Sequence, residues 1–506
     1  MRKVLLLAAA LMAFTSVQAQ RIGCIHNSTM TRADKYYLFP EPFDFDPQKT
    51  YRQPVVLISF SDQNFSMENP KDYYNRLFNE KGFNEGYGLG CVADYFRDQS
   101  GGRLNLQFDI YGPFKVDITA GGHGNRYYGS NALISAAKQL FETETTDFSI
   151  YDWDGDGKVN QLLFVVASYS GQQKAGYTYP NSGESIYTKL PGDIYAHFYS
   201  VACELWEDGS LCGLGVIAHE FCHSLGLPDI YPMYQSDYFS IVDDWDLMDG
   251  GNYINRGWCP PNLSAMEKMY LKWDTPEELT QPTTITGMKS VSAGGKSYII
   301  RNSGNPNEYY LLENHQQDGW DYGCPGNGLL IYHVNYLESS WRNNEVNVSN
   351  TFFRYDLFHA DGKSYIDWDP NNDGSAPNKY TMPDCMRSRY LSTSPYPYTN
   401  PSTLVVNNSL SDESSPVAML FNRNADGLLL MGKSITNIQQ APDGTISFDF
   451  MKNGDSGIEM LSDVRSKLSD AWYTIDGRRL AGRPTAKGMY ILRPASGSFG
   501  KKIYLQ

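Results

Sequence analysis

The sequence predicts an α+β protein: a mixed sheet with helices, then a β-rich region, then a small all-β segment at the carboxy terminus. Three observations predict it. Strand and helix patterns alternate over residues 53–278, strand patterns alone fill 279–451, and three short strand patterns follow a polar stretch at 452–468. The stretch Gly215–Asp229 reads as the helix around which the first region is organised, because Leu214, Ile217, Ala218, Phe221 and Leu225 recur at helical spacing.

The elements follow in order. Pro54–Phe60 is a buried strand, and helices are expected near Lys71–Asn79 and Cys91–Arg97, the second stopped by Ser100-Gly101-Gly102. Leu104–Asp109 alternates as a half-buried strand. Asn131–Glu144 is a helix with Leu133, Ala136, Ala137 and Leu140 on one face. Gln161–Ser168 and Tyr195–Glu204 are strands, and Ile194–Ser200 is expected at a sheet edge where an extended peptide could pair. A helix runs to about Trp273. Strands then read at Ser297–Ile300, Tyr309–Glu313, Gly328–Val334 and Ile446–Phe450. Trp472–Ile475, Gly488–Leu492 and Lys502–Leu505 complete the terminal segment, 469–506, with Asp476-Gly477 as a turn.

Length and composition bound the rest. At 506 residues two or three domains are expected, and 41% hydrophobic against 20% charged residues marks a folded chain. Residues 1–19 carry Arg2 and Lys3 and then an apolar run, Val4–Phe14, ending at Val17-Gln18-Ala19. They read as an export signal, too short for a permanent span. Residues 20–52 read as a leader or short pro-segment. The formal charge of −15 becomes −17 when the two cations of the signal leave, which argues against nucleic acid as a partner. No other stretch is apolar enough to be a transmembrane segment.

Export also makes the eight cysteines eligible for pairing, with Cys203 and Cys212 the most local pair, though spacing does not fix connectivity. Cys24 has a sharper alternative: a pro-segment thiolate that blocks a zinc ion before activation.

The chemistry sits at His219-Glu220-Phe221-Cys222-His223. Two histidines four apart project from one helix face and can reach one zinc ion at about 2.0–2.1 Å. Glu220, one position round, can hold the attacking water as general base. Gly226 stops the helix, and Asp229 can swing back as a third, oxygen ligand. Three protein ligands leave one position open, which is a catalytic and not a structural arrangement. Glu267, on the helical stretch Ser264–Tyr270, is the alternative third ligand.

A second cation is expected at Asp152-Trp153-Asp154-Gly155-Asp156-Gly157. Asp152, Asp154 and Asp156 alternate as calcium ligands would, although Leu163 stands where a full helical calcium hand has its glutamate. Asp367, Asp369, Asn371 and Asp373 form a weaker run of the same kind. His315 and His333 lie in strands and read as hydrogen-bonded structural histidines, with an approach to the active site as the alternative.

HEFCHSLGLPD, followed by WDLMDGG at Trp245–Gly251, resembles the immune inhibitor A family of secreted zinc metallopeptidases. PVVLISFSDQNF, CVADYFRDQSGG, EYYLLENHQQDGWD and PGNGLLIYHVN extend the likeness over roughly residues 52–451. The resemblance implies a zincin or metzincin-like peptidase domain over 53–278, with 279–451 as its β-rich continuation. It puts Met248 in a tight turn beneath the metal and implies protein or peptide substrates. The terminal IDGRRLAGRPTAKGMYILR is similar to the sorting domains of type IX secretion substrates in Bacteroidetes; a small adhesive module is the alternative. That likeness implies passage across inner and outer membranes, with the secretion machinery as partner and a secreted or cell-surface location.

The expected activity is therefore a secreted zinc endopeptidase. Hydrolysis of another amide, in glycan or cell-wall peptide, and an adhesin on an inert zincin fold are the competing readings. Glu220 weighs against the last, since a structural zinc site gains nothing from it.

Overall fold

The computed structural model describes residues 39–120, 128–170, 177–178, 180–184, 188–232, 240–348, 353–363, 391–452, 471–474, 479–480, 482–493 and 501–505. The signal, Cys24, Cys385, the acidic run from Asp367, most of the 452–468 stretch and the Asp476-Gly477 turn lie outside them.

The first sheet is mixed. Strands β1 (Thr50–Ser59), β2 (Asn105–Lys115), β3 (Lys158–Ser170), β4 (Tyr177–Thr178), β5 (Asn181–Glu184) and β6 (Tyr195–Leu205) form it. The order is β2-β1-β3-β6-β5, with β4 against β3; β5 runs antiparallel to β6, and the other pairs are parallel. β1 and β3 are buried on both faces, which is why they read as apolar runs and not as alternation. Helices α1 (Pro70–Asn79) and α2 (Val92–Gln99) share a core with α4 (Leu214–Leu225), while α3 (Tyr128–Thr143) packs on the opposite face.

Two expectations are corrected here. Residues 198–201 of β6 pair with residues 181–184, so Ile194–Ser200 is not at the sheet edge; β5 is the outer strand among the described residues. Its sequence, Asn-Ser-Gly-Glu, has none of the branched or aromatic residues by which strands are recognised. The leader stretch also contains packed structure: Phe39 and Phe45 are buried, and β1 starts at Thr50.

A short helix α5 (Ala265–Tyr270) leads to the second sheet. Its strands are β7 (Glu277–Glu278), β9 (Tyr298–Arg301), β10 (Glu308–His315), β11 (Gly328–Asn335) and β12 (Tyr355–Leu357), with β8 (Thr283–Met288) leaving to a third sheet and α6 (Glu338–Arg342) following β11. Every residue of β10 and β11 is buried. Tyr309, Leu311, Leu330 and Tyr332 join the core that contains α4, whereas Tyr310, Leu312, Leu329 and Ile331 face the other way. The β-rich region thus shares one core with α4.

Strands β13 (Tyr398–Thr399) and β14 (Val406–Asn407) make a hairpin, and β15 (Ile435–Gln440) and β16 (Ile446–Phe450) complete the third sheet with β8. The terminal sheet holds four strands, β17 (Ala471–Thr474), β18 (Arg479–Leu480), β19 (Gly488–Arg493) and β20 (Lys501–Leu505), one more than expected. Tyr473 and Ile491 pack against Val417, Met419 and Leu430. No helix among the described residues is long and apolar enough to cross a membrane.

Candidate metal centre

Helix α4 is buried on nearly all sides, and Gly215 explains how. A Cβ there would stand 2.4 Å from the Asn252 carbonyl oxygen, so only glycine lets the 252–257 segment lie against the first turn. At the far end Gly226 caps the helix at φ 110°, with its amide on the Cys222 and His223 carbonyls. The reversed chain returns Asp229 to the helix.

The result is a compact cluster. His219 Nε2 lies 3.3 Å and His223 Nε2 3.4 Å from Asp229 Oδ1, and all three residues are at most 1% exposed. Tetrahedral zinc with bonds of about 2.0–2.1 Å places its donors about 3.3–3.4 Å apart, so the two distances match edges of such a tetrahedron. Both imidazoles are aimed from behind. His219 Nδ1 bonds the Leu247 carbonyl at 2.9 Å and His223 Nδ1 bonds the Leu227 carbonyl at 2.8 Å. With both Nδ1 atoms donating, each Nε2 keeps its lone pair toward the cluster. Burial pushes the His219 imidazole down, but Asp229, Glu220 and the Leu247 carbonyl outweigh it and raise it to about 9. A proton and a metal ion would compete for the same lone pair.

Three neighbours complete the setting. Asn344 donates from Nδ2 to Asp229 Oδ2 (2.7 Å) and accepts the Asp229 amide at 2.6 Å, which turns Oδ1 toward the histidines. Phe39 stacks on the His223 ring, 5.2 Å between centroids and 7° between planes. Ser200 in β6 donates to the Glu220 carbonyl at 2.8 Å, tying the helix to the sheet. None of the three was legible in sequence. Asn344 and Phe39 are brought in only by tertiary folding, and Asn344 sits at φ 56°, a left-handed conformation that asparagine tolerates.

The other expected residues fall as follows. Met248 is fully buried in a turn; its amide is bonded by Asp246 and its carbonyl accepts the Ile230 amide, one residue past Asp229. Glu267 is not in the cluster: it closes the first turn of α5, accepting from the Ser264 amide and hydroxyl. His315 is held by Asp321 and His333 by Glu308, each at 2.8 Å and buried, in the structural role. Asp152, Asp154 and Asp156 bring carboxylate oxygens within 4.8 Å of one another at a largely exposed loop. Burial, the Asp156 charge and Asp152 raise the Asp154 carboxyl. Cys91, Cys203, Cys212, Cys222, Cys259 and Cys324 are all buried thiols, and Cys203 and Cys212 lie in different core clusters.

Two helical histidines and a carboxylate, with a glutamate adjacent to one of them, are thus gathered beside a sheet in an arrangement that could hold a metal ion. Residues 167–276 match the family model of the immune inhibitor A peptidase M6 catalytic domain. Immune inhibitor A of Bacillus thuringiensis subsp. alesti is 24% identical over 290 residues, 49% of this chain and 40% of that protein. Pre-pro-metalloprotease PrtV of Vibrio cholerae serotype O1 is 23% identical over 254 residues, 42% of this chain and 28% of that protein. The chain thus spans less than half the length of these curated relatives. The similarity supports a metallopeptidase domain that contains α4 and the Met248 turn.

Proposed function

We propose that this chain is a zinc-dependent endopeptidase with His219, His223 and Asp229 as ligands and Glu220 as general base and acid. The observation that carries this reading is the placement of one Asp229 oxygen at 3.3 and 3.4 Å from both imidazole nitrogens. Zinc held there would polarise the scissile carbonyl and make the attacking water acidic near neutral pH. Glu220 takes that water's proton and delivers it to the leaving amine. The Leu247 and Leu227 carbonyls hold the Nδ1 atoms of His219 and His223, which leaves each Nε2 as the atom that would donate to zinc. The Met248 turn supports His219 from below. An extended peptide substrate pairs along β5, the outer strand.

A calcium ion at Asp152, Asp154 and Asp156 stabilises the loop before β3 without entering the chemistry. The amino-terminal signal and the terminal β17–β20 sheet serve export and sorting; removal of residues 469–506 should leave the protein inside the cell.

The deciding assay is cleavage of casein, abolished by a chelator and restored by zinc. Glu220→Gln should keep one zinc per chain and lose nearly all turnover. Zinc binding without cleavage of any protein would leave another amide as substrate, and a variant of normal activity would remove Glu220 from the mechanism.

A further inference from the structure

The residues ahead of β1 read in sequence as a leader or pro-segment, yet the fold uses part of them as framework. Phe39 is fully buried and Phe45 nearly so. Three contacts seat the near end. The Phe39 ring stacks on His223, 5.2 Å between centroids and 7° between planes. The Pro40 carbonyl oxygen lies against Gly226, 2.6 Å from where a Cβ would stand, at the turn that returns Asp229. The Phe39 amide donates to the Arg342 carbonyl at 3.0 Å, and Arg342 Nη1 donates to Glu41 Oε1 at 2.9 Å, two residues before Asn344. At the far end Phe45 meets Tyr51 and Trp153 edge to face, and the Asp46 amide donates to the Tyr51 hydroxyl at 2.8 Å. The stretch therefore touches the second histidine, the turn before Asp229 and the segment that aims Asp229.

We propose that residues 39–46 are a permanent strap of the proposed catalytic domain, with Phe39 as a positioning residue for His223, and that any maturation cut falls before Phe39. The single bond from His223 Nδ1 to the Leu227 carbonyl leaves the imidazole free to rock about it. A second ring lying nearly parallel against its face removes that freedom and keeps water off it. An inhibitory segment would instead set a ligand atom at the open metal position. The lone pair of Nε2 lies in the imidazole plane, so a ring on the face leaves it clear. None of the strap's carboxylates, Glu41, Asp44 or Asp46, joins the His219, His223 and Asp229 cluster. A cut beyond Phe39 would strip the cover from His223 and the support from Gly226. The effect on zinc affinity rests on the zinc reading; retention of the strap does not.

The test starts from the protein as its own cells make it. Amino-terminal sequencing of the folded form should find a first residue at or before Phe39, and a folded form that begins beyond Phe39 overturns the proposal. In zinc competition against a chelating dye, Phe39→Ala should lose affinity about 10–100-fold, the range for groups that orient a metal ligand. Phe39→Leu keeps most of the apolar volume and should lose less than about tenfold. Phe45→Ala opens a cavity in the same strap away from His223 and should stay near the parent. A folded Phe39→Ala with parental affinity overturns the positioning role, as does a Phe45→Ala that loses as much, because lost packing alone would then suffice. If Phe39→Ala does not fold, Phe39→Leu still decides: without the aromatic ring, the His223 ring-proton resonances of the metal-free protein should move, and unmoved resonances overturn the contact. A parent that binds no zinc refutes the metal reading and leaves the strap to be judged by its first residue and that resonance shift.

Discussion

Asp229→Asn is the substitution that most directly probes the cluster. Asparagine has the shape of aspartate, so the fold should persist, but its amide is trapped by Asn344. The Asn344 carbonyl oxygen is already engaged by the Asp229 backbone amide at 2.6 Å, so Asn344 can present only its Nδ2 to the side chain. The new residue must therefore turn its oxygen to Asn344 and its NH2 toward His219 and His223. That group is no donor to a metal. Zinc–ligand sets bind with about 10–16 kcal/mol in all, or about 3 kcal/mol for each of four positions. At about 1.4 kcal/mol per tenfold, losing one costs roughly 100- to 1,000-fold in affinity. Competition with a dye of graded affinity at fixed pH reads this directly, alongside Glu267→Gln as the comparison. Circular dichroism of both proteins checks the fold. If Asp229→Asn binds zinc within a few-fold of the parent while Glu267→Gln loses it, the third ligand is not Asp229 and the inference from the 3.3 and 3.4 Å contacts is wrong.

Other expectations follow from single contacts. Calcium should raise the melting temperature of the parent, by the equivalent of about 2.7 kcal/mol at a hundredfold excess over its dissociation constant, and should not do so in Asp154→Ala; an unchanged response in the variant excludes this loop. Burial lowers His315, but the Asp321 and Glu313 carboxylates more than reverse this and hold it at about 10, against an ordinary 6.5. Its contribution to stability is thus complete below pH 6.5 and lost as pH climbs through 10. Thermal melts should show that alkaline decline in the parent and a flatter profile in His315→Gln. Gly226→Ala places a Cβ 2.6 Å from the Pro40 carbonyl oxygen at φ 110°, a backbone conformation worth about 1–3 kcal/mol of strain in a non-glycine residue. Denaturant unfolding should show at least that loss, and zinc affinity should fall with it because Asp229 depends on the same turn.

How much of this was readable in the residues follows from the range of each interaction. His219, Glu220 and His223 were legible because helix geometry alone places them, and Asp229 because Gly226 ties it to the same helix. The strands β1, β3, β10 and β11 were legible as apolar runs. β5 was not, since four polar or small residues become a strand only through the exposed edge of β6. The short tether from Gly226 favoured Asp229 over Glu267, but that both carboxylates are buried, with Asp229 beside the histidines and Glu267 closing the first turn of α5, follows only from the fold. Asn344 was out of reach for a further reason: it acts 115 residues away from its partner, and no local pattern marks it.

The seating of Phe39 has a consequence in time. Its ring covers His223 and its amide bonds the Arg342 carbonyl at 3.0 Å, while Asn344 two residues on orients Asp229. A nascent chain has all three proposed ligands once residue 229 has emerged. It lacks the clasp and the aim until more than a hundred further residues are made and folded back. Closing so long a loop is slow compared with winding the helix itself. Synthesis therefore runs through an interval in which the two histidines and Asp229 exist but the contacts that aim and cover them do not.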